Sequence, residues 1–105
     1  NTKIGSAANP VMADATLPVD LNPQLRPLYP PAARNAGIEG ILTLELVIDK
    51  DGTVLRARPV GRALGYGLEE AAVDAFLRKK FQPSVDKSGK PMIVKFYQPV
   101  QFEFM

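Results

Sequence analysis

Cysteine, histidine and tryptophan are all missing from this 105-residue chain. Without Cys or His, the common zinc, copper, haem and iron–sulfur centres cannot be assembled from its side chains alone. Ser-His-Asp and Cys-His catalysis go with them, as does the usual neutral-pH proton shuttle. An enzyme would be left with carboxylates, Lys, Tyr, Ser and Thr, and the sequence offers no convergent acid–base set among these. The expectation is therefore a protein that is not an enzyme and holds no cofactor and no metal.

A strong charge imbalance is missing too. Thirteen Lys plus Arg stand against 11 Asp plus Glu, a formal charge of +2. Nucleic-acid binding would need clustering, and the nearest clusters are Arg56, Arg58 and Arg62 on one segment and Arg78, Lys79 and Lys80 on another. No apolar run approaches the roughly 20 residues that span a bilayer, and no signal peptide is visible. The chain opens Asn1-Thr2-Lys3 without a methionine, so we expect a fragment of something longer, with an anchor or export signal upstream. The lack of Cys suits the cytosol, or a periplasmic chain that avoids disulfide chemistry.

What is present, with 46% apolar residues, is the composition of one small globular domain. Residues 1–22 keep no lasting period of 2 or 3.6 and read as a flexible lead-in to a domain over 23–105. Four prolines between Leu21 and Pro31 favour extended backbone. A short helix can start at Pro30 or Pro31, where a missing N–H costs nothing, and end at Gly37. From Gly40, Leu42, Leu44, Leu46 and Ile48 alternate with Ile41, Thr43, Glu45 and Val47, the period of a strand buried on one side. Asp49-Lys50-Asp51-Gly52 supplies a turn, so 40–60 predicts a β-hairpin, with Pro59 at an edge or bulge.

Glycines 61, 65 and 67 mark a loop. A helix is expected over 68–80, with Leu68, Ala72, Ala75 and Phe76 on one stripe. Glu69 and Glu70 in its first turn and Arg78, Lys79 and Lys80 in its last complement the helix dipole. After a loop past Phe81 and Pro83, a final strand is expected over 92–104, interrupted near Gln98-Pro99. Met92, Val94, Phe96, Val100, Phe102 and Phe104 share one parity; Lys95, Tyr97, Gln101 and Glu103 share the other. The order α-β-β-α-β predicts an α+β fold, a three-stranded antiparallel sheet with two helices packed on one face.

Several residues invite chemical readings that simpler ones displace. Asp49 and Asp51 with Gly52 resemble the start of a calcium loop, but the downstream acidic ligand is missing, and a hairpin turn explains them. Glu69 and Glu70 are adjacent rather than on one helix face, which suits dipole partners better than an acid–base pair. Arg56 and Arg58 share a strand face that could touch anionic headgroups or peptidoglycan, with a solvated sheet face as the default. Tyr29 reads as a staple over the sheet that fixes the Pro-rich lead-in near the last strand.

Beyond single residues, seven pieces succeed one another at spacings that are specific only together. They are Tyr29-Pro30-Pro31-Ala32-Ala33, Gly37-Ile38-Glu39-Gly40, Ile48 to Val54 around Asp51-Gly52, Leu68-Glu69-Glu70-Ala71-Ala72 with Ala75-Phe76, Phe81-Gln82-Pro83, Gly89-Lys90-Pro91, and Pro99-Val100-Gln101-Phe102-Glu103-Phe104. In this order they resemble the C-terminal domain of the TonB family of energy transducers. The resemblance implies a periplasmic domain anchored to the inner membrane in the full-length protein, whose missing N-terminal part sits with a proton-driven motor. It further implies that the domain grips an extended peptide of an outer-membrane receptor or periplasmic protein along its final strand. Transporter-coupling members carry a Gln shortly before the Tyr-Pro, in contact with the partner peptide. The matching position here is Arg26, with Gln24 nearby, which leaves room for an alternative: docking to a scaffold protein of another envelope machine, such as a secretion or gliding complex.

A last strand at a sheet edge would offer unpaired N–H and C=O groups to an incoming strand. The expected partner-binding set is therefore Gln24, Arg26, Tyr29 and the strand residues Ile93, Val94, Lys95, Phe96, Tyr97, Gln98 and Val100. Backbone pairing would attach the peptide, and Lys95 and Tyr97 would add selectivity. The same edge could pair with a second copy, so a homodimer is also an expectation.

Overall fold

A computed structural model of the chain describes residues 16–104; the part of the expected lead-in before residue 16 lies outside the described residues. In chain order the elements are strand β1 (Val19–Asp20), helix α1 (Pro31–Asn35), strands β2 (Gly40–Ile48) and β3 (Val54–Val60), helix α2 (Leu68–Leu77), the short strands β4 (Phe81–Gln82), β5 (Ser84–Val85) and β6 (Pro91–Met92), and β7 (Val94–Phe102). No described helix is long and apolar enough to cross a membrane.

The three long strands form one antiparallel sheet in the order β3-β2-β7. β2 is the central strand, and the alternation that predicted it sets its core face, where Leu42, Leu44, Leu46 and Ile48 are all buried; against the one-sided expectation, Glu45 and Val47 on the other face are buried as well. Val94, Val100 and Phe102 of β7 join them there, with Ala33 of α1 and Leu68, Ala72 and Phe76 of α2 in the same cluster. Ala at 33 and 72 leaves room for helix backbone to approach the sheet closely.

β3 departs from simple alternation. Val47 pairs with Arg56 but Ile48 pairs with Val54, so Leu55 is an extra residue in a bulge. The bulge switches parity, so Val54 turns into the core while Arg56 and Arg58 turn to the opposite face. Ala57 then packs against the core from the same side as Val54.

Two expectations need correcting. α2 stops at Leu77, not at 80, and Arg78 is its C-cap; the N–H groups of Arg78 and Lys79 bond back to the carbonyls of Ala75 and Phe76, tightening the last turn. Lys79 lies beyond the helix with its ammonium buried, as described below. The final strand is also divided differently. Pro91–Met92 pairs with β5, the break falls at Ile93, and β7 then runs unbroken through Gln98 and Pro99. Pro99 is tolerated because β7 is an edge strand, where a missing donor need not cost a ladder bond.

The expected loop after Phe81 holds the β5–β6 hairpin, closed by Asp86. Its Oδ1 accepts from the Ser88 N–H at 2.9 Å, the Ser88 hydroxyl at 2.6 Å and the Lys90 N–H at 3.0 Å. The β2–β3 turn is a hairpin turn: Asp49 N–H donates to the Thr53 carbonyl at 2.8 Å, and Thr53 N–H donates to Asp51 Oδ1 at 2.9 Å. That turn is tied to the exit of α2 by Phe81 N–H donating to the Gly52 carbonyl at 2.9 Å. At φ +89° an added Cβ on Gly52 would lie 1.8 Å from the Phe81 carbonyl oxygen, so no other residue fits.

Residues 16–22 carry specific contacts. Val19 and Asp20 pair with Gln82 and Phe81, Leu21 N–H donates to the Lys80 carbonyl at 3.0 Å, and Thr16 N–H donates to the Val85 carbonyl at 3.1 Å.

Candidate partner-binding edge

Among the described residues, β7 pairs with β2 alone, so its other side is an open edge nine residues long. Beside its C-terminal half lies a groove of about 350 Å³. Pro99 to Glu103 of β7 and its exit form one wall, residues 20–29 of the Pro-rich segment form the other, and Phe76 and Lys79 lie at its base. Arg26, Tyr29 and Val100, three of the sequence-predicted residues, meet here.

The wall is pinned at two points. At one, Lys79 leaves only 3% of its side chain exposed. Its Nζ lies 2.8 Å from Asp20 Oδ2, donates to the Asn22 carbonyl at 2.7 Å, and sits 5.1 Å from the centre of the Phe76 ring. A cation this deep needs its counter-charge and its acceptor, and both come from the segment before the prolines. Asn22 returns the tie: its side-chain oxygen accepts from Lys80 N–H at 2.7 Å.

At the other point, Tyr29 stacks on Phe104 with ring centres 5.0 Å apart and meets Phe102 edge-on at 5.5 Å. Its hydroxyl donates to the Ile38 carbonyl, and the Arg34 guanidinium lies 5.3 Å from its ring centre. Desolvation and the Glu39 carboxylate push the Tyr29 phenol above its ordinary pKa, against the pull of Arg34. Tyr29 thus works as the staple its sequence position predicts.

The remaining predicted residues spread along the edge. Val94 and Val100 are buried, and Phe96 packs against the core with its ring 6.0 Å from that of Phe81. Val94 can meet a partner only through its backbone, whereas Val100 also lines the groove and Phe96 is partly exposed. Ile93 falls between β6 and β7, outside the ladder. Lys95 and Tyr97 face away from the core, and Tyr97 is 47% exposed. The Gln98 amide donates to the Pro99 carbonyl at 2.8 Å. Gln24 is exposed but does not line the groove.

Sequence reasoning missed Asp20 and Lys79 as parts of this wall. The signal was present: Lys79 continues the stripe of Leu68, Ala72, Ala75 and Phe76 at helical spacing, so it was due to point inward even though it carries a charge.

The face of the sheet opposite the core has its own electrostatics. Cross-strand rows set Arg58, Glu45 and Tyr97 side by side, and Arg56, Val47 and Lys95 beside them. Glu45 is only 4% exposed. Arg56 donates to Glu45 Oε1 at 3.0 Å, and Arg58 donates to both carboxylate oxygens at 3.2 Å. Desolvation raises the Glu45 pKa, but the Arg58 hydrogen bond and the charges of Arg58, Lys95 and Arg56 outweigh it and hold the carboxyl below the usual range.

Comparison with known proteins agrees with the fold and with the pattern of motifs. The family model described as Gram-negative bacterial TonB protein C-terminal matches residues 26–104. A curated relative, the protein TonB of Vibrio cholerae serotype O1, is 27% identical over 99 residues, covering 94% of this chain and 39% of the relative. The chain thus spans about two-fifths of that relative's length.

Proposed function

Because the chain belongs to the Gram-negative bacterial TonB protein C-terminal family, we propose that it is the periplasmic, partner-gripping domain of an inner-membrane-anchored energy transducer. In this reading a proton-driven motor acts on a part of the protein outside this chain. The domain, with both helices on one face of its sheet, carries the resulting force to an extended peptide of an outer-membrane receptor or periplasmic protein.

The observation that carries the reading is the open edge of β7 beside a groove. An incoming strand would satisfy the backbone groups of residues 93–100, with little demand on its sequence. Hydrogen bonds loaded in shear along a strand share tension, so an interface of modest affinity can still transmit force. Lys95 and Tyr97, facing away from the core on that strand, would select among peptides. Arg26, exposed at the groove, is the position at which transporter coupling and docking to another envelope scaffold would differ.

The test is a titration of 15N-labelled protein with extended peptides from candidate envelope partners, reading backbone amide shifts. The reading expects shifts concentrated on 93–100 and on the groove wall, and loss of binding when Tyr97→Pro removes a donor from the edge. Shifts that never concentrate on that strand with any peptide would sink it.

A further inference from the structure

The β7 edge calls on Lys95 and Tyr97 of the opposite sheet face but leaves Arg56, Arg58 and Glu45 of that face without a role, and there three cations surround one buried carboxylate. Around Glu45, Arg56, Arg58 and Lys95 leave two positive charges in excess, with Glu103 at the far end of the face beside Gln101. Glu45 does more than neutralise. By holding one terminal nitrogen of each arginine, it fixes both guanidiniums in place, with their side chains still 52% and 59% exposed. Each keeps further N–H donors directed elsewhere, and planar guanidinium forks match carboxylates two bonds at a time. We propose that this face docks an acidic polypeptide segment of a partner protein, extended and carrying carboxylates at alternate positions, on the paired guanidiniums of Arg56 and Arg58 with Lys95 at their flank.

Spacing favours a polypeptide over other anions. Arg56 and Arg58 arise two residues apart on one strand, about 6.8 Å along its axis, the repeat at which an extended chain presents every second side chain, and from there their guanidiniums converge on Glu45 Oε1. Exposed Tyr97, across the sheet from Arg58 by way of Glu45, offers a further contact to side chains on the docked side of the segment. An anionic bilayer is poorly matched, since holding one takes clusters of roughly four to eight cations, and this face has three with one carboxylate among them. The bulge at Leu55 is what makes the site: without it, Arg56 and Arg58 would share the parity of the buried Val54.

The test uses 15N-labelled chain and poly-L-glutamate of about 20 residues as the probe, well matched to an extended site. Saturable shifts should concentrate on the amides and guanidinium N–H groups of Arg56 and Arg58 and the amides of Lys95 and Tyr97, and should fade above about 0.5 M salt. Glu45→Gln, which releases both guanidiniums while raising the positive charge of the face, should still place the shifts on the same residues. The triple variant E45Q/R56Q/R58Q, which removes the carboxylate together with its partners, should bind at least about tenfold more weakly. Lys95→Glu, which leaves the arginine pair intact, should weaken binding several-fold and serves if the triple variant does not fold. Equal shifts at Lys50, Lys80, Lys87 and Lys90, unchanged binding by the triple variant or by Lys95→Glu, or stronger binding to phosphatidylglycerol vesicles than to polyglutamate would each overturn the proposal. Tyr97→Pro and peptides for the β7 edge address the other site.

Discussion

Replacing Asp20 by Asn isolates the tie that holds the Pro-rich wall to the domain. The Lys79 ammonium sits 2.8 Å from Asp20 Oδ2 and 2.7 Å from the Asn22 carbonyl, almost wholly out of water. Removing one partner of a fully buried ion pair costs about 3–5 kcal/mol, because the other charge stays buried without compensation. Asp20 is 30% exposed, so solvent already screens part of the attraction, and the cost of Asp20→Asn falls to about 2 kcal/mol. Lys79→Met behaves differently. It keeps an apolar stem over Phe76 and gives up a hydrogen bond and a cation–π contact of about 2–3 kcal/mol together, but it also removes the desolvated charge, so the net cost is under about 1 kcal/mol. The smaller chemical change should therefore cost more.

Urea unfolding followed by circular dichroism measures both. For a chain of this size, with a slope near 1 kcal/mol/M, Asp20→Asn should lower the midpoint by about 2 M and Lys79→Met by under about 1 M. The double variant should match Lys79→Met, a coupling of more than about 1 kcal/mol. Amide exchange at Asp20 and Leu21 should accelerate in Asp20→Asn before that of the central strand. If Lys79→Met proved the costlier change, or Asp20→Asn stayed within about 0.5 kcal/mol of the parent, Lys79 would not be the buried, charge-compensated anchor described above.

Tyr29→Phe should cost about 1 kcal/mol for the lost bond to the Ile38 carbonyl, and Tyr29→Ala about 2–3 kcal/mol for the lost packing on Phe102 and Phe104; thermal unfolding separates the two, and equal costs would show that the ring contributes nothing. The folded-state pKa of Glu45 lies below its unfolded value, as do those of Asp51, held by Thr53, and Asp86, held by Ser88 and Lys90. These groups therefore add stability above the unfolded carboxylate range that is lost as pH falls through their folded values. Urea midpoints should decline between about pH 5 and pH 3, less steeply in Glu45→Gln, and a pH-independent midpoint would contradict the assignment.

The parts legible in the sequence were those governed by one local rule. Alternation over 41–48 identified the core face of β2, though Glu45 and Val47 on its other face are buried too, and Pro31 with Gly37 bracketed α1, because each follows from local backbone geometry. Prolines misled in one place: Pro99 suggested a break, but its cost depends on whether a neighbouring strand needs its N–H, which is a property of sheet order. The bulge at Leu55 was hidden for a similar reason. Simple parity puts Val54, Arg56 and Arg58 on one face, and only the pairing with Ile48 shows Val54 turned the other way. Lys79 and Asp20 are 59 residues apart in the chain, and charge type alone argued that both were solvated. Within the candidate site, Tyr29 and the β7 edge were readable, whereas the groove wall was not, since one of its two pins is that long-range pair.

The two ties on the wall differ in strength, and on the proposed role that difference sets what a pull does. Tension arriving from ahead of β1 first meets a strand that pairs two residues with β4 and leaves Leu17, Val19 and Leu21 exposed. Its hold rests chiefly on Lys79 and Asp20. Past the prolines, the load reaches Tyr29, which packs on Phe102 and Phe104. Phe102 ends a strand that pairs with β2 along its whole length, from Gly40–Phe102 to Ile48–Val94. A pull strong enough to free β1 therefore lengthens the tether and opens the wall of the groove, while the sheet and its outer edge stay assembled. Load then passes from Tyr29 directly into β7, the strand on which the partner would be held. Breaking the Lys79–Asp20 tie should thus change how peptides enter the groove without weakening the backbone pairing along 93–100.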